Sequence, residues 1–329
     1  MDGKELVKRA VAFDGPERIP VQYPYDWRLS DIVNVEVVNY FSGPDRKSTE
    51  WGFRWSHLEN ELTMGQPEEP LIKGWSDFSG LRAPDPGATG RFDPMRKMRA
   101  ELGEEKYYKA NFVLSGFGVM SCLRGFSQIM EDFYLEREIV ERLADIVFGF
   151  EEETIRRLKP QGFDAVGLAD DWGTQRSLFI SPELWREVFK PRYRRQIELA
   201  HACGLDVYFH CCGYIYDIIP DFIEIGLDIL NPGQPDINGI RRMGEAFSGR
   251  LCFACPVSYQ TTGISGSRAD IRREVDEMAA HLANCGGGLL GVVPTDLAGL
   301  GAGAENARAM FDAFRTCGLR KGGDDVRND

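Results

Sequence analysis

The sequence lacks long apolar runs and has fewer basic than acidic residues. No stretch of its 329 residues reaches the roughly 18 consecutive apolar residues of a membrane-spanning helix. The opening residues, MDGKELVKRA, contain no apolar core of a secretory signal. Lysine and arginine number 39 against 51 aspartates and glutamates, a formal net charge of −12. Because nucleic-acid phosphates bind basic surfaces, we expect no nucleic-acid partner. Because no apolar run or secretory signal is seen, we expect no membrane partner and a cytoplasmic location.

Internal repeats are also missing, which excludes solenoids and propellers. The chain has eight cysteines, and in a cytoplasmic protein we expect them to be reduced. Their positions therefore matter more than their even number. The polar segment 319–329 is predicted to be a flexible tail.

From residue 161 onward, short apolar strands alternate with helices. Ser181 and Pro182 begin one of these helices as cap and first residue, and Pro191 is expected to kink or split it. Ser267 and Asp270 resemble a capping box for another helix. Near-continuous apolar strands alternating with helices indicate parallel strands buried on both faces. The five predicted strands are QGFDAVGL (161–168), LDVYFH (205–210), LDILNP (227–232), LCFACPV (251–257) and GLLGVVP (288–294).

The first half of the chain is less regular. Segments 18–26 and 106–114 are predicted strands, and a long helical stretch follows over 127–158. Segment 40–105, rich in glycine, proline, tryptophan and charge, is predicted to be an N-terminal insertion in a single domain spanning 1–329. The length suits a (β/α)8 TIM barrel, but eight strands are complete only if one lies in that insertion. A doubly wound open sheet is the structural alternative.

Polar and sulfur-containing residues follow the predicted strands. In a parallel barrel the residues just past each strand line the active-site mouth. We therefore predict that these residues come together around one substrate. The candidates are Tyr25, Asp26 and Trp27; Asp170, Asp171 and Trp172; His210, Cys211 and Cys212; Asn231 and Gln234; Cys255 and Ser258; and Thr295 and Asp296.

His210 and Cys212 stand two residues apart as the chain leaves a strand, a spacing that lets both bind one Zn²⁺. Zinc sites usually take three or four protein ligands, so Cys255 and Asp296 are the candidates to complete this one. The alternative is that the cysteines are small buried apolar side chains, which is common for cysteine.

Asp170 and Asp171 allow two interpretations. Adjacent carboxylates raise each other's pKa, which suits general acid–base catalysis, with His210 as a further catalytic group. Aspartates at a turn also cap backbone amides without any catalytic role. Because neighbouring residues of a strand point to opposite faces, we expect only one of the two to face the mouth.

Several motifs carry a resemblance to a known family. The segments RAVAFDGPERIPVQ, ADDWGTQ, VYFHCCGYIYDIIPDFIEIGLDILNPGQP and CPVSYQTT resemble the uroporphyrinogen decarboxylase superfamily. The resemblance implies a TIM barrel and, because members are often dimers, a homodimer. True uroporphyrinogen decarboxylases have an Arg-Gln-Ala-Gly-Arg segment and a Phe-Ser-Asp-Ile segment, and this chain has neither. It is more similar to the branch of cobamide-dependent methyltransferases.

In that branch a His-x-Cys pair and a later cysteine bind zinc, which activates a thiolate. His210 and Cys212 match the pair, but the later cysteine would fall near Thr295 and Asp296 and is absent. The resemblance implies a corrinoid-linked methyltransferase or demethylase for a small methylated substrate, with the corrinoid carried by a partner protein. Two alternatives remain open: a metal-independent decarboxylase acting on a small carboxylic acid or tetrapyrrole, and a non-catalytic ligand-binding barrel.

Overall fold

A computed structural model of the chain describes residues 1–38, 48–56, 65–295 and 297–318. Asp296 and the predicted tail 319–329 lie outside the described residues. Eight strands form one sheet in the order β1-β10-β9-β8-β7-β6-β5-β2, and every paired neighbour is parallel. These strands are β1 (Val21–Gln22), β2 (Ile32–Glu36), β5 (Tyr107–Asn111), β6 (Ala165–Ala169), β7 (Asp206–Cys211), β8 (Ile229–Pro232), β9 (Cys252–Pro256) and β10 (Leu289–Val292), and an antiparallel pair outside the sheet consists of β3 (Trp55–Ser56) and β4 (Gln66–Pro67).

The two edge strands of this sheet, β1 and β2, meet and nearly close it. The backbone N–H of Asp31 donates to the carbonyl of Val21 at 2.9 Å, and the Val21 N–H donates to the Asp31 carboxylate, also at 2.9 Å. Arg18 holds the same carboxylate in an ion pair of 2.6 Å. The (β/α)8 barrel is therefore confirmed, and the open-sheet alternative is wrong.

The eighth strand is β2, which precedes the segment 40–105. The prediction that this segment supplies a barrel strand is wrong, because the eight strands are complete without it. Strand β2 has the sequence IVNVE, in which Val33 and Val35 pack against the helix layer while Asn34 and Glu36 point inward. This alternation of apolar and polar residues differs from the continuous apolar runs of β6, β9 and β10, and the strand was not predicted.

Helices surround the barrel and follow the predicted sequence signals. Ser181 accepts a hydrogen bond from the Leu184 N–H, and Pro191 lies in the first turn of a second helix, so the predicted split occurs. Ser267 and Asp270 form the predicted capping box. None of the described helices is long and apolar enough to cross a bilayer. The helices are α1 (Gly3–Val11), α2 (Asp93–Leu102), α3 (Gly116–Arg124), α4 (Phe126–Leu135), α5 (Arg137–Leu158), α6 (Pro182–Val188), α7 (Lys190–Ala202), α8 (Ile219–Glu224), α9 (Pro235–Asn238), α10 (Ile240–Phe247), α11 (Thr262–Ser265), α12 (Arg268–Leu282) and α13 (Ala304–Thr316).

The inside of the barrel changes from apolar to polar along the strands. At the N-terminal end, Ala10 of α1 packs in one buried cluster with inward side chains such as Tyr208 and Leu290. Further along the same strands, the inward positions carry polar residues, including Lys109 on β5 and His210 on β7. Inward positions of TIM barrels are usually filled by bulky branched residues, so this polar end marks the place for chemistry.

Candidate active site

A cavity of about 560 Å³ opens at the C-terminal ends of the barrel strands. This is the end at which TIM-barrel enzymes place their active sites. Of the mouth residues predicted from the sequence, Trp27, His210, Cys212, Asn231 and Thr295 line it. The other lining residues are Gln22, Asn34, Glu36, Asn111, Val113, Gly233, Pro256, Tyr259, Val292, Val293, Pro294 and Leu300.

Asp171, His210 and Cys212 form a cluster that suits a metal ion. His210 Nε2 lies 3.3 Å from Cys212 Sγ and 3.7 Å from Asp171 Oδ1. One ligand atom from each residue lies within 4.8 Å of the other two. Zinc bonds of about 2.0–2.3 Å in tetrahedral geometry separate ligand atoms by about 3.5 Å, so this donor set fits zinc. In the part of the chain that the structure describes, no other group of three such side chains meets this spacing.

Asn231 orients the imidazole of His210 for this role. The Asn231 amide nitrogen donates to the carbonyl of Ala254, so its Oδ1 is the atom that faces His210 Nδ1 at 2.6 Å. Nδ1 therefore carries the proton, and Nε2 presents its lone pair to Cys212 and Asp171. Histidine ligands of zinc are commonly held by such a hydrogen bond from the other ring nitrogen.

Glycines bring the two loops of the cluster together. Gly213 has a φ of +83°, and a Cβ on it would lie 2.0 Å from the carbonyl oxygen of Gly173. Where the loops cross, the Cys212 N–H donates to Asp171 Oδ1 at 2.7 Å. At Gly233 on the next strand loop, a Cβ would lie 2.7 Å from Cys212 Sγ. At Gly213 only glycine fits, because a Cβ would clash with the Gly173 backbone, whereas a Cβ at Gly233 would push the Cys212 side chain from its place in the cluster.

The charges of the cluster favour a protonated histidine when no metal competes. Burial lowers the pKa of His210, but Cys212, Asp171 and Asn231 outweigh it and raise the pKa to about 9. A proton therefore competes with a metal for Nε2 at neutral pH. The Tyr259 hydroxyl lies 3.8 Å from Cys212 Sγ, and burial together with Cys212 raises the pKa of this phenol. Tyr259 therefore keeps its proton next to the thiol.

Comparison with known proteins assigns the chain to a family. The family model for uroporphyrinogen decarboxylase (URO-D) matches residues 60–315. The chain belongs to the uroporphyrinogen decarboxylase family. A search of the curated proteins finds no match to this URO-D family member.

One solved structure agrees with the barrel fold of this URO-D family member over nearly its whole length. A methyltransferase from Methanosarcina mazei is similar with a TM-score of 0.73 at 16% identity, covering 95% of this chain and 98% of that one. Xylanase 10B from Thermotoga maritima is similar with a TM-score of only 0.44 at 11% identity, covering 95% of this chain and 98% of that one. At 16% identity the similarity to the Methanosarcina mazei structure shows the fold and not the reaction.

The structure separates the two adjacent aspartates. Asp170 is fully buried and accepts hydrogen bonds from the backbone N–H groups of Phe117 and Gly118, at 2.7 and 2.8 Å, and from the Tyr193 hydroxyl. Burial raises the pKa of its carboxyl well above the usual range. Asp170 thus anchors the start of α3, whereas Asp171 lies beside His210, and neither aspartate is in the cavity lining.

Other predicted mouth residues lie outside the cavity lining. Trp172 is buried and donates to the Tyr193 hydroxyl, and Gln234 accepts from the Gly213 N–H at 3.1 Å. Ser258 donates to Asp236 beside an outer groove. Tyr25 donates to the carbonyl of Thr295 at the rim, and Asp26 accepts from the Arg28 N–H within a turn. The last two residues are Cys211 and Cys255, which are buried in the core cluster between strands and helices, so Cys255 does not join His210 and Cys212.

Several cavity residues were missed from the sequence. Gln22, Asn34, Glu36 and Asn111 line the cavity from within β1, β2 and β5, and Tyr259 follows β9. The candidates lie at or just past the ends of the predicted strands, whereas Gln22 and Asn111 lie before the ends of 18–26 and 106–114, and β2 was not predicted. Polar residues at alternate positions of a strand are a usable signal, because they share one face. Asn34 and Glu36 on β2 show this pattern.

Proposed function

We propose that this URO-D family member is a zinc-dependent methyltransferase that exchanges a methyl group between a corrinoid and a small substrate. The observation that carries the proposal is the cluster of Asp171, His210 and Cys212, of which His210 and Cys212 line the cavity. Catalytic zinc sites have three protein ligands and an open position, whereas structural sites have four. The activity named for the similar Methanosarcina mazei barrel favours methyl transfer over other zinc-assisted reactions.

In this proposal Asp171 takes the place of the missing third cysteine. It comes from the loop after β6, and it already accepts a hydrogen bond from the backbone of Cys212. A carboxylate oxygen, an imidazole nitrogen and a thiolate are all ordinary zinc ligands. The proposal therefore needs neither Cys255, which lies in the core, nor Asp296, which lies outside the described residues.

Zinc bound at this cluster would act as a Lewis acid, which activates a thiol acceptor or polarises a methyl-bearing heteroatom. The residues of the chain supply positioning. Asn231 holds the His210 ring, and the protonated Tyr259 hydroxyl stands near Cys212 Sγ, where it can donate a hydrogen bond to a heteroatom bound beside the cluster. Trp27 and Val292 line the cavity and limit its exposure to water.

The corrinoid is proposed to arrive on a partner protein that docks over the mouth. The rim presents two exposed apolar side chains, Tyr25 and Leu300, which are 43% and 38% exposed. Exposed aromatic and aliphatic side chains are typical of surfaces that bind another protein. The homodimer expected from the family remains a prediction that sedimentation can test.

The lining of the cavity argues against an acid-rich substrate. Among the described residues that line it there is no lysine or arginine. Protonated His210 could pair with one carboxylate, but a tetrapyrrole with several carboxylates would leave most of its charges unpaired there, and burying an unpaired charge is costly. This favours the methyltransferase over the decarboxylase alternative.

The test is zinc content, followed by methyl transfer. Wild type should bind one zinc per chain, His210→Ala and Cys212→Ala should bind none, and Asp171→Asn should bind it more weakly. Cys285→Ala is the matched control, because Cys285 is exposed and distant in the sequence from the cluster. Zinc-loaded wild type should then demethylate methylcobalamin in the presence of a thiol, and the change in cobalamin absorbance measures this reaction. An equal zinc content in all variants, or a demethylation rate that does not depend on bound zinc, would refute the proposal.

A further inference from the structure

The wall of the cavity that faces the metal cluster is built from β1 and β2. In the order of the barrel strands, β7 lies four strands from β1 and three from β2. His210 and Cys212 at the end of β7 therefore face Gln22, Asn34 and Glu36 across the cavity. Neither the family resemblance nor the metal chemistry uses these three residues.

Two oxygen atoms on this wall have no hydrogen-bond partner among the described residues. Gln22 is 6% exposed, and its Oε1 is buried without a donor. Asn34 Oδ1 is also buried without a donor. The contrast is Asn231 on the metal side, whose oxygen and nitrogen both have partners. Because buried polar atoms in proteins are nearly always paired, these two oxygens indicate a missing donor.

The charge of the wall indicates which kind of donor is missing. Glu36 lies two residues after Asn34 on β2, so both side chains face the cavity; Glu36 is at the exposed, open end of the cavity, and its partial burial raises the pKa of its carboxyl. Within the described lining no arginine or lysine balances this carboxylate. Lys109 lies next to Asn34 in the strand pairing, but it does not line the cavity, and its ammonium stands 3.3 Å from the ring centroid of Tyr208.

We propose that Gln22, Asn34 and Glu36 bind a protonated amine at the end of the substrate remote from the metal cluster. The substrate class is then a small molecule with a thiol or methylated heteroatom at one end and an ammonium group at the other. The cavity, about 560 Å³, is within the range that binds small organic ligands. The inference rests on the proposed function, since it assigns the reacting end to Asp171, His210 and Cys212.

The test uses thiols that differ only in their distal group. Aminoalkanethiols, mercaptoalkanols and mercaptoalkanoates of two to six carbons are titrated by calorimetry into the zinc-loaded full-length protein. We expect the ammonium series to bind at least about tenfold tighter than the hydroxyl and carboxylate series at the best chain length. Glu36→Gln and Gln22→Leu should remove this preference, and Asn34→Asp should increase it. Glu198→Gln, an exposed acidic residue on α7, is the matched control.

The outcomes separate this inference from the proposed function. Thiols that bind with no preference for the ammonium, or with a preference for the carboxylate, overturn the inference while the zinc assay still stands. An ammonium preference unchanged in Glu36→Gln and Asn34→Asp also overturns it. If hexylamine binds the zinc-free protein and binds Glu36→Gln more weakly, the amine-binding inference is supported even if the protein does not bind zinc. Circular dichroism of each variant shows whether it folds. If Gln22→Leu does not fold, the binding preference is measured with Asn34→Asp instead.

Discussion

Replacing Lys109 with methionine should stabilise the protein at neutral pH, with an advantage that shrinks as the pH rises. Lys109 is 3% exposed on the inside of the barrel, and no acidic side chain of the described residues pairs with it. Its chain runs across Gly167, where a Cβ would lie 3.0 Å from the lysine Cδ. Methionine is similar in length and has no charge to bury.

The free-energy cost of burying the protonated Lys109 follows from the pKa of its amine. Burial lowers the pKa of Lys109 from 10.5 to about 7. At about 1.4 kcal/mol per pH unit, this shift corresponds to a cost of about 5 kcal/mol when the folded protein holds the proton. The contact of the ammonium with Tyr208 is worth about 0.5–2 kcal/mol, so it offsets only part of that cost.

Whether stability rises or falls with pH depends on which state, folded or unfolded, binds the proton on Lys109. Between pH 7 and 10.5 the unfolded chain keeps a proton on Lys109 that the folded protein has released, so wild-type stability rises with pH in this window. From pH 7 to pH 9.5 the gain should be about 3 kcal/mol. Below pH 7 both states are protonated, and the full cost is present.

The assay is urea unfolding of wild type and Lys109→Met at several values from pH 6.5 to 9.5. Other titrating groups are common to both proteins and cancel in the difference of the unfolding free energies. That difference should favour the variant by several kcal/mol at pH 6.5 and fall by about 3 kcal/mol by pH 9.5. Lys97→Met, at an exposed position on α2, should show no such trend. A difference independent of pH, or a variant less stable at pH 6.5, would refute the reasoning.

Three further substitutions test the site. Gly233→Ala should weaken zinc binding at least about tenfold in a chelator competition, because its Cβ would meet Cys212 Sγ, and an unchanged affinity would contradict the tight packing. Asn231→Ala should lower zinc affinity about 10- to 100-fold by freeing the His210 ring, and wild-type affinity would show that the hydrogen bond does not orient it. Asp170→Ala should cost about 2–4 kcal/mol in chemical unfolding without changing zinc stoichiometry, whereas lost zinc in a folded variant would contradict its role as an anchor.

Much of the barrel could be predicted because its strands are locally distinctive. Apolar runs ended by turns located the five strands after residue 161, two more strands were predicted in the less regular first half, and capping residues such as Ser181 and Ser267 located helix starts. Strand β2 has polar inward positions, Asn34 and Glu36, which weaken its hydrophobic pattern. Strand β5 shares this feature but was predicted, since its run continues into apolar residues 112–114. A strand that lines the site thus has a weaker hydrophobic pattern.

The sequence by itself determined that His210 and Cys212 share a site, because two residues apart at a strand end they reach the same side. Only the tertiary structure decided the third member of the cluster. Asp170 turns to the amides of α3, and Asp171 meets His210 because the loops after β6 and β7 cross at two glycines. Cys255 falls on the outer face of β9, since a strand's pleat sends alternate residues to opposite sides. Which side is inside depends on how the strand pairs with its neighbours, and those contacts are long-range.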